Sequence, residues 1–412
     1  MLLGGVCALL AVPAPAAAIS RSRLEHGLAN QMQRVGGASG AWVYDLDAKD
    51  HGQLFSWASK TPRVLASNSK LFTTAAVLNR FGADGTLETR LYPQPRSALH
   101  RHAIRGNLAI VGDGDPALSS SGFAKRNDLP VSPIGALAKD LRKEGIKRVL
   151  GKVLADDSIF NRKRGVPTTG VDPSPSDLSP LSGLSYNAGL DGSGEAHDPE
   201  LRAARALKAK LRKYGIRVKG RIGRGNVSNR ALKHRPVAEV RSPQMSTLVT
   251  ATNRPSNNFY AEMLLKRLGA GSKSRGTTRR GAILAERFAK KLSAPVQMEN
   301  GSGLTRDNRA SPKSVGHLLR AMNRRPGHLA FRKSLPLAGR QGTLSDRMDG
   351  TAAEANCRAK TGTINAVSAL SGYCHAGHGV VAFSILMNSV DISTAQSAQD
   401  KMAGLIARYK RK

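Results

Sequence analysis

Hydrophobic and polar positions along this chain change period several times. Ala41-Trp42-Val43-Tyr44-Asp45-Leu46 and Leu54-Phe55-Ser56-Trp57 are strand-like runs on either side of the polar stretch Asp47 to Gln53, which predicts a hairpin. From Ala66 to Phe81 the apolar residues recur at helical spacing and stop at Gly82, which predicts a helix with Ser67 at its opening. Between about 86 and 237 the texture shifts to short strands, Pro and Gly turns and basic helices such as Leu201 to Tyr214, the pattern of an inserted accessory domain. Helical periodicity returns after Val240, over Asn257 to Leu268, Arg279 to Leu292 and Ser311 to Met322, and the chain closes with strands and a helix from Thr394 to Tyr409. The segments 19–85 and 238–412 thus read as one α/β (α+β) domain, a mainly antiparallel sheet flanked by helices and split by the unit 86–237.

The first 18 residues are an uncharged apolar run ending in Ala16-Ala17-Ala18, which reads as a secretory signal peptide with a small-residue cleavage site. Pro13 and Pro15 interrupt the run, and it is too short for a transmembrane anchor. An extracytoplasmic location, periplasm or cell wall, follows as the expectation. Composition then narrows the partners. Sixty-four Lys and Arg against 29 Asp and Glu give a net charge of +35, a field that attracts polyanions. Aromatic residues are only 4% and no stacking motif or zinc spacing is present, so nucleic acid fits less well than anionic wall polymers.

Export leaves two cysteines, Cys357 and Cys374, once Cys7 is removed with the leader. The runs flanking Asn365-Ala366 predict strands joined by a two-residue loop, a register that sets Cys357 opposite Cys374. At a non-hydrogen-bonded position such a pair comes close enough for a disulfide.

The chemistry-bearing residues lie in three short motifs. Ser67-Asn68-Ser69-Lys70 sets a serine and a lysine at i and i+3, on one helix face near the positive helix end, where a nucleophile with a base beside it can be built. Ser256-Asn257-Asn258 follows at the start of a later helix, and Lys360-Thr361-Gly362 lies inside a C-terminal strand. Each is common by itself, but the three in this order match the set known from beta-lactamases and penicillin-binding proteins.

The chain resembles the class C low-molecular-mass penicillin-binding proteins, the D-alanyl-D-alanine carboxypeptidase/endopeptidase family. Further motifs carry the likeness: Val111-Gly112-Asp113-Gly114-Asp115-Pro116, Asp156-Asp157-Ser158-Ile159-Phe160, Asn300-Gly301-Ser302-Gly303-Leu304-Thr305-Arg306, Leu337 to Leu344, and Leu370-Ser371-Gly372-Tyr373. The resemblance implies a serine beta-lactamase/DD-peptidase-like domain and a cofactor-free, metal-free hydrolase. Ser67 would attack the carbonyl between two D-alanines of a peptidoglycan stem peptide, and beta-lactams would acylate it covalently.

In that scheme Lys70 takes the proton, tuned towards a pKa of roughly 7 to 8 by burial and by the Lys360 cation. Ser256 relays it to the leaving amine, Asn258 holds the substrate amide, and Lys360 and Thr361 bind the terminal carboxylate. The N–H groups of Ser67 and Thr363 form the oxyanion hole, and Gly362 permits close approach. Asp156 and Arg306 are expected to meet the two ends of a diaminopimelate-type side chain. The sequence departs from the family at Asn257 and Asn300, where Asp is usual.

Other readings have less support in the residues. Gly112-x-Gly114-x-x-Ala117 mimics a dinucleotide fingerprint, but Asp113, Asp115 and Pro116 stand where pyrophosphate would lie. The ten histidines show no zinc spacing. A true beta-lactamase needs a group to activate deacylating water, and no Glu-x-x-x-Asn tetrad lies between Ser256 and Lys360, so an acyl-penicillin should persist. A DD-endopeptidase using the same site, and a non-catalytic basic wall-binding protein, are the remaining alternatives.

Overall fold

A computed structural model of the chain describes residues 17–167, 178–191, 194–195, 197–271, 274–377 and 379–411. Residues 1–16 of the segment read as a signal peptide lie outside them. No described helix is long and apolar enough to cross a membrane.

The N- and C-terminal segments meet in a five-stranded antiparallel sheet ordered Cys357–Ile364, Val367–Ala376, Gly379–Asn388, Ala38–Asp45, Gln53–Trp57. Alternation along a strand sends successive side chains to opposite faces, and both faces are covered. Phe383, Ile385 and Met387 join a core with Leu24, Leu28 and Met32 of the helix Arg21–Val35 and with Met402 and Ile406 of the C-terminal helix Ile392–Arg408. Ala382 and Leu386 face the larger core, which holds Leu71 and Phe72 of the helix Ser69–Phe81, Met263 and Leu264 of Asn258–Gly269, and Val315 and Leu319 of Pro312–Met322. The Cys357–Ile364 strand is therefore a sheet edge, and helices lie across from it.

The middle of the chain builds a second five-stranded sheet, ordered Ile222–Arg224, Val153–Asp156, Asn107–Val111, Glu88–Gln94, Ala238–Arg241. Its first three strands run parallel, with the helix Pro199–Lys213 packed over them, and its core gathers residues from Leu91 to Val240. Two features differ from the expectation of a unit ending at 237. Ala238–Arg241, assigned from sequence to the peptidase domain, pairs with Glu88–Gln94 as an edge strand of this second sheet. Ala117, Phe160, Leu178, Leu181 and Ala188, from within the insertion, pack into the larger peptidase core. The physical reason is that their loops offer apolar side chains that the short parallel strands cannot cover.

Cys357 and Cys374 face each other across the hairpin closed by Asn365-Ala366, and a disulfide joins them. The Cys357 N–H and C=O bond Ala353 and Ala338 rather than Cys374, the signature of a non-hydrogen-bonded pair. The disulfide spans 17 residues, so replacing both cysteines with serine is expected to lower the unfolding free energy by about 3 kcal/mol, read as a fall in the urea midpoint.

Candidate active site

Ser67 sits in the 3-10 turn Ala66–Asn68, one turn ahead of the helix proper, which begins at Ser69. Ala66 adopts φ +46, and Ser67 is half-buried at the mouth while Lys70 behind it is fully buried. The Lys70 Nζ donates to Ser67 Oγ at 3.0 Å, to Asn258 Oδ1 at 2.7 Å and to the Ser302 carbonyl at 2.6 Å. Burial lowers its pKa to about 7, against the opposing pull of the Glu262 carboxylate. A lysine at that value is half neutral near pH 7 and can accept a proton from a hydroxyl at hydrogen-bond distance.

The second motif is positioned by its own helix start. Asn257, not Ser256, is the N-cap: its side chain accepts from the Tyr260 N–H at 3.0 Å. Ser256, at φ +61, is turned the other way, and its Oγ accepts from Lys360 Nζ at 2.9 Å. Asn257 thus fills a capping role that Asp could also fill, so the amide costs the site no required group. Lys360 also donates to the Thr361 carbonyl, and burial, followed by repulsion from Lys70, drives its pKa well below the usual lysine value.

The sheet edge is clamped to the serine turn. Asn68 Nδ2 donates to the Lys360 carbonyl at 3.0 Å, and a Cβ on Gly362 would stand 2.8 Å from the Leu65 carbonyl oxygen. Glycine at 362 is therefore required by the protein's own backbone, a nearer cause than the approach of substrate. Thr361 Oγ1 lies 2.7 Å from Thr343 Oγ1. With Cys357 at a non-hydrogen-bonded position, the period of two makes Thr361 and Thr363 such positions too, so the Thr363 N–H points outward from the sheet edge.

One supporting group, Glu262, escapes the sequence reading, and the Asn300 to Arg306 motif is read there without its contacts. Glu262 lies one helical turn after Asn258 and accepts from the Gly301 and Ser302 N–H groups at 2.9 and 2.6 Å, which aims the Ser302 carbonyl at Lys70. The spacing of four from Asn258 was the available signal. Asn300 is buried, and its Oδ1 accepts from the Gly303 N–H at 2.9 Å, so the amide side chain closes this loop where the family usually has a carboxylate. Gly303 adopts φ +90, and a Cβ there would stand 1.9 Å from the Ala66 carbonyl oxygen. Gly303→Ala is expected to destabilise the chain by about 3 kcal/mol and, by pushing on the serine turn, to slow acylation; thermal midpoint and adduct rate measure the two effects.

The structure joins Ser67, Lys70, Ser256, Asn258, Lys360 and Thr361 through the contacts above. It does not bring Asp156 to them. Asp156 is 1% exposed, with its oxygens accepting from the Ser158 and Val227 N–H groups, so burial keeps it from a substrate ammonium. Arg306 is exposed and donates to the Asn365 carbonyl at 2.9 Å, at the turn that ends the Lys360 strand, apart from Asp156. A cleft of about 750 Å³ opens beside Asn258, between Phe259 and Gly342 on one side and Phe123, Leu129 and Leu190 of the middle segment on the other.

The chain is similar to several known proteins along most of its length. The chain is 29% identical to a D-alanyl-D-alanine carboxypeptidase of Actinomadura sp. (strain R39), over 91% of this chain and 82% of that one. Among solved structures, penicillin binding protein 4 of Haemophilus influenzae superposes with a TM-score of 0.72 at 18% identity, covering 91% of this chain and 97% of that one. A predatory peptidoglycan endopeptidase of Bdellovibrio bacteriovorus shares the fold at TM-score 0.52 and 19% identity, over 89% and 91% of the two chains. The family model described as D-Ala-D-Ala carboxypeptidase 3 (S13) matches residues 22–190 and 188–409, and the chain belongs to that family.

Proposed function

We propose that this protein is a serine-type D-alanyl-D-alanine carboxypeptidase of peptidoglycan stem peptides, working through an acyl-enzyme on Ser67. The observation that carries the reading is the Lys70 ammonium, buried, lowered to about 7 and shared between Ser67 Oγ and Asn258 Oδ1. Neutral Lys70 removes the Ser67 proton as Oγ adds to the carbonyl between the two D-alanines. The Ser67 and outward-facing Thr363 N–H groups receive the oxyanion, whose charge they stabilise more than that of the ground-state carbonyl. Collapse expels D-alanine as its amine takes a proton through Ser256, and water then releases the shortened peptide. Lys360, with Thr361, binds the terminal carboxylate, and that anion offsets the cost of keeping Lys360 charged in a buried site. Asn258 holds the substrate amide.

Beta-lactams enter the same reaction and stop at the acyl stage. The leader read in residues 1–18 supports an extracytoplasmic setting, and the charge of +35 supports attraction to the anionic polymers found there. The test is D-alanine release from a muramyl pentapeptide. Release by the parent and none by Ser67→Ala supports the reading; cleavage of cross-linked dimers without release from the pentapeptide would replace it with an endopeptidase.

A further inference from the structure

On the far side of the Ser67 helix lies a groove of about 890 Å³ that catalysis does not use. Its floor is apolar, with Ala76, Leu268 and Phe288 buried beneath Leu284. Its rim is cationic: Arg80 from the end of the Ser67 helix, Arg287, Lys290 and Lys291 from the helix Thr278–Lys291, and Arg325 from the segment after Pro312–Met322. No acidic side chain lines it, and none of the five cations makes an ion pair among the described residues.

Cations at helix C-termini are ordinary, because they complement the helix dipole. Three separate elements converging on one concavity are not accounted for in that way. Arg287, Lys290 and Lys291 share one helix face by their spacing. Arg325 lies over the ring of Phe288, a floor residue, at 5.5 Å, which sets one guanidinium group against the groove before any ligand arrives. Unpaired cations crowded together repel one another and are relieved by a polyanion that bridges them.

We propose that this groove binds a linear phosphodiester polymer of the cell wall and anchors the enzyme beside its substrate. The inference rests on the reading that the chain works among anionic wall polymers, and is independent of the catalytic one. A membrane surface is the weaker occupant. The large exposed apolar side chains among the described residues are Leu99, Leu150, Tyr214 and Leu329; none of them lines the groove, and its own apolar floor is recessed.

The test measures binding of purified poly(glycerol phosphate) to the full chain across a salt series. The groove variant combines Arg80→Gln, Arg287→Gln, Lys290→Gln and Lys291→Gln. The control removes equal charge from exposed positions in the middle segment, Lys139→Gln, Arg142→Gln, Lys147→Gln and Arg148→Gln. The groove variant is expected to lose roughly tenfold or more in affinity at moderate salt, with a clearly shallower dependence of log affinity on log salt, while the control stays within about twofold of the parent. The far-UV circular dichroism spectrum and thermal midpoint should be the same in all three, which shows that the variants fold and keeps this result separate from any failure of the catalytic reading. Equal losses in the two variants would reduce the effect to net charge and overturn the proposal. So would a parent that ignores the polymer, or one that binds phosphatidylglycerol vesicles in its place.

Discussion

Replacing Lys70 with methionine is expected to slow acylation of Ser67 by about ten-thousand-fold, the upper range for loss of a positioned general base. Methionine fills most of the buried volume, so the loss reports proton transfer more than collapse of the site. The pH dependence carries the same information. Lys70 acts only when neutral, and its pKa is lowered to about 7 by burial, so the parent's acylation rate should rise with pH up to about 7 and level off above. Lys70→Met should lack that rising limb. Stopped-flow acylation with a chromogenic cephalosporin between pH 5 and 9 measures both. An unchanged limb in the variant would assign the base to another group.

The second large effect concerns Lys360. Lys360→Met is expected to lower kcat/KM for a peptide with a free terminal carboxylate by roughly a hundredfold, the loss of a charge-assisted contact. The distinguishing measurement is the same peptide amidated at its end. The parent should prefer the carboxylate strongly, and the variant should treat the two nearly alike, since neither then meets a cation. A uniform loss on both peptides would mean that Lys360 acts through Ser256, which its Nζ contacts at 2.9 Å, rather than through the substrate.

Much of this site is legible in the sequence because its parts are short motifs whose neighbours along the chain are also neighbours in space. Ser67 and Lys70 lie one turn apart, and the edge-strand hairpin fixes Lys360, Thr361 and Thr363 by a simple alternation. Contacts made between distant segments are harder to see. Glu262, the Ser302 carbonyl, Asn300 and Thr343 act through bonds that the three motifs do not record.

Asp156 misleads for a related reason: a carboxylate at a strand end looks available until its two oxygens are found capping the local chain. The helix Arg21–Val35 is readable from its apolar spacing at Leu24, Leu28, Met32 and Val35 and is missed, because the segment follows directly on the apolar run read as a leader. The parallel strands of the middle segment are too short, at two to five residues, to show a period of two. Their pairing order is set by a core that spans Leu91 to Val240 and leaves no trace in any local window.

The most direct measurement of the central claim is intact-mass spectrometry of the protein after exposure to benzylpenicillin, alongside Ser67→Ala. A persistent single penicilloyl adduct on the parent, located by peptide mapping on Ser67 and missing from the variant, is the predicted result. A folded parent that stays unmodified, or an adduct that survives Ser67→Ala, would contradict the acyl-enzyme account.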